Sequence, residues 1–269
     1  MSGQPNIAIA GVAGRMGREL ARAALRHNLG ISGGTERSDS VDIGTTIGAL
    51  IGDPSLASRV SDQVPAAANG ASIWVDFTAP SATLTALDQL QRTSVNSVII
   101  GTTGFSDADL DRVERYAERF AIVKAGNFSL GINLLEHLVQ LAAARLGEAW
   151  DIEVSETHHH HKKDAPSGTA LMLGEAAAKG RDKPLEALRA DPYDGPEAAR
   201  EPGEIGFSVQ RIGGVIGDHS VSFGTQQEVI TLSHRAIDRA VFAHGAIRAA
   251  QWAHSQAPGL YNLGDVLGL

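Results

Sequence analysis

Four imidazoles and two ammonium groups stand in a row in this chain: His158, His159, His160, His161, Lys162 and Lys163. Imidazoles exchange protons near neutral pH and ammonium groups attract anions, so the row suits proton delivery to a small, negatively charged reactant. The chain runs on through Asp164-Ala165-Pro166-Ser167-Gly168-Thr169-Ala170, where Pro166 suits a first helical turn. Met172 and Leu173 continue an apolar face, and Gly180 closes the helix. A helix beginning there presents the backbone donors of Ser167, Gly168 and Thr169, an end that binds carboxylate. Cationic groups beside it make a compact pocket that fits a small dicarboxylate. The internal position of the row rules out an affinity tag. No metal is expected, because consecutive histidines on an extended chain point to different sides and the i, i+4 pair of a helical zinc motif is missing. On composition alone, a solvated basic loop without chemistry remains open.

A second constellation lies near the N-terminus. Gly11-Val12-Ala13-Gly14-Arg15-Met16-Gly17 joins the apolar run Ile7–Ala10 to a helical pattern over residues 16–27. Glycines in such a turn let backbone amides approach a pyrophosphate at the helix N-terminus. The spacing is G-x-x-G-x-x-G rather than G-x-G-x-x-G, so a dinucleotide site and a plain tight turn are both compatible with it. Glu36 falls near the end of the predicted second strand, where an acidic side chain receives the adenosine ribose, and Arg37 follows it. The carboxylate favours NAD and the guanidinium suits the extra phosphate of NADP, so the pair points to NADH or NADPH. Two more turns stand at the carboxyl ends of predicted strands and face the same crevice: Gly101-Thr102-Thr103-Gly104 and Ala125-Gly126-Asn127-Phe128.

The elements that must hold these groups are read from periodicity. Short apolar strands over residues 7–10, 72–77, 97–100 and 121–124 alternate with helical patterns over 16–27, 81–91 and 106–120, which implies a doubly wound parallel sheet. Ser106 and Asp109 stand at capping-box spacing. A long helix over 132–146, ended by Gly147, then gives way to strands over 151–156, 206–211, 219–223 and 228–234. These form a second, open sheet. Between them, residues 183–203 gather Pro184, Pro192, Pro196 and Pro202 among charged residues and read as a long loop. A last helix over about 238–253 returns to the first domain. The change of pattern near Ser129 and Asp238 predicts a hinge between the two domains.

Composition sets outer bounds. A net charge of -8 gives no cationic field for a phosphate backbone, so nucleic acid is not an expected partner. With no cysteine there is no disulfide, thiolate nucleophile or Cys-ligated metal, which suits a reducing cytoplasm. Neither a signal peptide nor a membrane span is read.

The V-x-G-x-x-G-x-M-G-like first turn, the Gly101–Gly104 turn, Asn127-Phe128-Ser129 and the string His-His-x-His-Lys-x-Asp-Ala-Pro-Ser-Gly-Thr-Ala together resemble the 4-hydroxy-tetrahydrodipicolinate (dihydrodipicolinate) reductases. The string is peculiar to that family, and the resemblance spans nearly the whole chain, with residues 37–69 matching poorly. It implies an α/β fold: a Rossmann-like dinucleotide domain (residues 1–129 and 240–269), and an α+β domain (130–239) whose open mixed sheet binds substrate and assembles a homotetramer. It also implies His158 as proton donor or acceptor, Lys162 as proton donor, and His159, Gly168 and Thr169 as substrate contacts. His160 falls at a variable position. The implied cofactor contacts are Gly11, Val12, Ala13, Gly14, Arg15, Met16, Glu36, Arg37, Gly101, Thr102, Thr103, Ala125, Gly126, Asn127 and Phe128. The implied reaction is NADH- or NADPH-dependent reduction of a cyclic dicarboxylate imine with loss of water, in diaminopimelate and lysine biosynthesis. Another two-domain dehydrogenase, of the aspartate or homoserine type, would share the glycine turn but not the string. A non-catalytic dinucleotide sensor would keep the fold without turnover.

Overall fold

In the computed structural model, residues 5–196 and 198–269 are described. The chain divides into two compact units, residues 1–129 with 240–268, and Leu130–Arg239. The first unit opens with β1 (Asn6–Ala10), α1 (Arg15–Arg26), β2 (Gly30–Thr35), α2 (Ile47–Ile51), β3 (Val60–Ser61) and α3 (Val64–Ala67). It continues with β4 (Ile73–Asp76), α4 (Pro80–Leu90), β5 (Ser97–Ile100), α5 (Asp107–Tyr116) and β6 (Ala121–Lys124). The second unit holds α6 (Leu130–Leu146), β7 (Asp151–His158), α7 (Gly168–Gly180), β8 (Ile205–Arg211), β9 (Asp218–Gly224) and β10 (Val229–Arg235). The chain then re-enters the first unit as α8 (Ala240–Ala253), β11 (Gly259–Tyr261) and α9 (Leu263–Leu267).

Seven parallel strands in the order β11-β6-β5-β4-β1-β2-β3 form the first sheet. Strand order reverses between β4 and β1, the place where an open α/β sheet has its crevice. Strands β4 and β5 are buried along their whole length, as expected where helices cover both faces. Helix α1 buries Gly17, Leu20, Ala21, Ala23 and Ala24 on one side and leaves its charged residues outside. The cap expected at Ser106 is present: its side chain accepts from Asp109 N–H, and Asp109 answers at the Ser106 N–H. That helix ends at Tyr116 rather than Phe120, whose side chain is buried in the core instead. Helix α8 packs closely enough that a Cβ on Gly245 would lie 1.7 Å from the Phe128 carbonyl oxygen.

The second sheet runs β10-β9-β7-β8, antiparallel except for the β7–β8 pair. That pair is parallel because α7 and the following long segment carry the chain back across the sheet, as a crossover must. Within the segment, Leu185–Ala187 make a short 3-10 turn, and Leu185, Leu188 and Ala190 are buried, so part of the expected loop is anchored to the core. Residue 197 lies outside the described part.

One expectation for α7 is corrected and one is met. Pro166 lies outside the helix, because Ser167 takes the N-cap and its side chain accepts from Ala170 N–H. Gly180 is the last residue of the helix, as expected, and Arg181 is the C-cap. A Cβ on Gly180 would lie 2.4 Å from Gln140 O of α6, so close helix packing requires the glycine.

Candidate active site

Strand alternation builds the site in the second unit. Side chains two residues apart share a face, so Glu156 and His158 continue the buried row begun by Ile152 and Val154. On β9, Phe223, Val221 and His219 do the same, and the antiparallel register sets Ile152 opposite Phe223, Val154 opposite Val221 and Glu156 opposite His219. An apolar face thus turns polar at one end. There the N-terminus of α7 arrives with Ser167.

Glu156, only 2% exposed, is the centre of the cluster. Its Oε1 accepts from Arg211 Nη2 at 2.9 Å and from Ser167 N at 2.9 Å, while Oε2 accepts from Arg211 Nη1 at 3.0 Å and meets His158 Nδ1. Arg211 also donates to Asp164 O at 2.7 Å, tying β8 to the loop after the histidine row. Burial pushes the Glu156 carboxyl up, but the bonds from Arg211, His158 and Ser167 outweigh it and hold the group below the usual carboxylate range. Burial pulls the His158 imidazole below its ordinary value, the Glu156 carboxylate opposes that, and Lys162 and Arg211 reinforce it. His219 lies edge-on to His158 with ring centroids 5.0 Å apart, and its Nε2 meets Ser167 Oγ at 3.2 Å.

The predicted residues are placed as follows. Lys162 is largely shielded and pairs with Asp164 at 2.9 Å. His159 is half-buried, and His160 is exposed, with its Nδ1 and N both on the Gly213 carbonyl. Gly168, the first residue of α7, is exposed, and Thr169 is half-buried. Sequence reading had missed Glu156, Arg211, Ser167 as cap, and His219. One signal was available: period-2 alternation from Ile152 puts a carboxylate on the apolar face, which demands partners.

Glu156, His158 and His219 offer ligand atoms within 4.8 Å of one another. As a cation site the set fits poorly, because both carboxylate oxygens already accept hydrogen bonds and a guanidinium lies on the same carboxylate.

Low histidine pKa values have a consequence for stability. Burial lowers His219 to about 4, and burial also lowers His158 and His234. The folded protein therefore binds fewer protons than the unfolded chain, whose imidazoles titrate near 6.5, so stability is complete above about pH 6.5 and is lost as pH falls toward 4. His219 alone is worth on the order of 3 kcal/mol across that window. Urea midpoints at pH 7.5 and 4.5 check this, and the His219→Gln variant is expected to show a smaller fall; equal midpoints in the parent protein would contradict it.

In the first unit, Gly11 stands at φ +62° and Gly14 is the cap of α1 with no side-chain partner for the first amides. A Cβ on Gly17 would lie 2.2 Å from Gly11 O, so the turn can close only on a glycine. A bare helix start in a tight glycine turn fits a pyrophosphate. Beside it a cavity of about 500 Å³ is lined by Gly11, Thr35, Glu36, Arg37, Asp76 and Thr78, among others. Glu36 Oε1 accepts from Ala13 N at 2.9 Å, so this carboxylate also braces the turn, and Arg37 is exposed beside Asp39. Asp76 is fully buried and burial pushes its carboxyl up; it binds Thr78 N–H and O–H, and Thr102 Oγ1 lies 3.2 Å away. Thr102 is thereby locked, whereas Thr103 is exposed. Val12 and Phe128 are core side chains, at 0% and 1% exposure, and the Val12 N–H donates to Thr35 O at 3.1 Å. Asn127 Oδ1 accepts from Ser129 N at 2.8 Å; Gly126 and Arg15 are exposed, and Met16, Gly101 and Ala125 half-buried.

Residues 5–128 match the family description dihydrodipicolinate reductase, N-terminus, and residues 131–267 match dihydrodipicolinate reductase, C-terminus. The chain belongs to the dihydrodipicolinate reductase family. Membership makes it an oxidoreductase with a dinucleotide-binding domain. It is 45% identical over 272 residues to the 4-hydroxy-tetrahydrodipicolinate reductase of Parvibaculum lavamentivorans, with all of both chains covered. The corresponding reductase of Caulobacter vibrioides is 46% identical over 269 residues, all of this chain and 99% of that one. A dipicolinate-bound dihydrodipicolinate reductase from Paenisporosarcina sp. TG-14 shares the fold, with a TM-score of 0.75 over 96% of this chain and 97% of that chain, at 24% identity. Among the described residues no helix is long and apolar enough to cross a membrane.

Proposed function

We propose that this chain reduces 4-hydroxy-tetrahydrodipicolinate to tetrahydrodipicolinate with NADH or NADPH and loss of water, in diaminopimelate and lysine biosynthesis. One observation carries the reading: a carboxylate-anchored His158 stands at the end of a buried strand face, with Lys162 close behind it and the N-terminus of a 13-residue helix beside it. Reduced nicotinamide supplies the hydride when bound. The backbone amides at Gly168 and Thr169 bind one carboxylate of the substrate, and His159 and Lys162 add positive charge for the dianion. Net reduction takes up one proton besides the hydride. His158 delivers it from Nε2, since Nδ1 is engaged by Glu156, or Lys162 delivers it from Nζ. Both cations also stabilise negative charge as it grows.

The dinucleotide is held at the Gly11 to Met16 turn, chiefly by the amides that open α1, since those of Val12, Ala13 and Gly14 already donate to Thr35 O, Glu36 Oε1 and Gly11 O; Glu36 and Arg37 serve the adenosine end, and Gly101 to Thr103 and Ala125 to Phe128 complete the site. A homotetramer assembled through the face of the second sheet turned away from α6 and α7, where Ser155, Thr157, Ser220 and Ser222 stand, completes the proposal, as does a cytoplasmic address. Domain closure about Ser129 and Asp238 would keep water from the reacting atoms.

The test follows nicotinamide absorbance with 4-hydroxy-tetrahydrodipicolinate made in situ, with NADH and NADPH separately and dipicolinate as competitor. Rapid oxidation, inhibited by dipicolinate, is the expected result and ranks the cofactors. A folded protein that binds NADH and oxidises none of it with this substrate would overturn the proposal in favour of a sensor.

A further inference from the structure

We propose that Glu156 is a positioning residue, whose carboxylate, clamped by Arg211 and the Ser167 amide, holds hydrogen on Nδ1 of His158 and leaves Nε2 as the nitrogen that exchanges the reaction's proton. The inference rests on the reductase reading for the proton's destination, but its core concerns only the state of His158.

Three observations support it. First, Glu156 is buried and each of its oxygens is already committed, so the carboxylate cannot swing away from His158 without breaking bonds to β8 and to the α7 cap. Second, a carboxylate only accepts, so a neutral His158 must present N–H at Nδ1 and a lone pair at Nε2. Third, Nε2 faces Gly217: a Cβ there would stand 3.1 Å from it, and the glycine keeps that nitrogen uncovered. The charged groups around the imidazole are Glu156 on its own strand, Lys162 and His159 in the following residues, Arg211 on β8 and His219 on β9. Among them only Glu156 favours the imidazolium, and the others oppose it.

Glu156→Gln makes a sharp test because an amide has one acceptor and one donor end. Oε1 faces two donors that cannot reverse, Arg211 Nη2 and Ser167 N, whereas Oε2 faces one, Arg211 Nη1, besides the reversible His158 Nδ1, so the amide oxygen takes the Oε1 position. The amide NH2 then points at His158 Nδ1, which must become an acceptor, so the proton moves to Nε2 and the imidazolium loses its partner. A structural role alone would lower the melting temperature without touching the tautomer.

The experiment uses the full chain with 15N-labelled histidine and long-range 1H–15N correlation, the His158 signals being assigned from their absence in His158→Gln. The parent protein is expected to show Nδ1–H. Glu156→Gln is expected to show Nε2–H, a His158 midpoint and acid limb of kcat at least one pH unit lower, and kcat reduced on the order of 10²-fold with KM for NADH unchanged. Glu156→Asp, which keeps the charge, recovers part of the rate. An Nε2–H tautomer in the parent protein overturns the proposal whether or not any variant folds, as does a Glu156→Gln protein whose tautomer and midpoint match the parent. If the parent shows Nδ1–H but reduces no dicarboxylate imine, the reductase reading fails and the Glu156 assignment stands.

Discussion

His158→Gln is expected to lower kcat by about 10²- to 10⁴-fold, the usual worth of a positioned general acid, with KM for NADH unchanged. Glutamine keeps a polar contact with Glu156 but has no titrating nitrogen, so binding survives and proton delivery does not. Lys162→Met is expected to lower kcat and also raise KM for the dicarboxylate, because the proposed site uses the Lys162 charge both to bind the dianion and to stabilise negative charge as it grows, and its side chain is largely shielded from solvent. Steady-state kinetics on both variants, with melting curves to confirm the fold, separate the two roles. A folded His158→Gln protein with more than about a third of the parent kcat would remove this residue from proton transfer.

The second large effect is expected at the other end of the reaction. Gly17→Ala is expected to weaken NADH binding by about 5- to 150-fold, because holding the turn closed against the added methyl costs roughly 1–3 kcal/mol. The added methyl would stand 2.2 Å from Gly11 O and 2.5 Å from Val12 Cα, so the turn must open by more than any side chain can absorb. An opened turn no longer aims the amides of α1 at a pyrophosphate. Fluorescence titration with NADH measures the loss, and dipicolinate binding, proposed for the second unit, serves as the internal control. Unchanged NADH affinity would mean that the dinucleotide does not use this turn.

The glycine turn shows why parts of this molecule were readable without coordinates. Local constraints act over a few residues: Gly11 for a positive φ, Ser106 and Asp109 for a cap, alternation for β7. Such features keep their meaning in any fold that contains them, and so the doubly wound sheet and the second, open sheet were both expected. Strand β2, with the sequence GISGGT, could not be delimited by hydrophobic pattern. Its glycines are there because Ala67 and Val12 come within 3 Å of where Cβ atoms would be, a non-local demand. The same limit applies to Gly180, which ends α7 as its residue type suits but is required there by the close approach of α6.

By itself the sequence determined that the histidine row leads into a helix N-terminus, and that cationic groups gather beside it on an acidic chain. It did not say which imidazole would be buried, since the predicted strand ends at Glu156 and the alternation is not carried on to His158. Tertiary structure decided that. His158 shares the apolar face of β7, His160 is drawn to Gly213, and the partner of His158 comes from two residues away, with Arg211, 55 residues beyond Glu156 along the chain, completing the clamp. A buried carboxylate is stable only where such partners converge, and convergence depends on the register of β7 with β8 and β9, which no local pattern encodes.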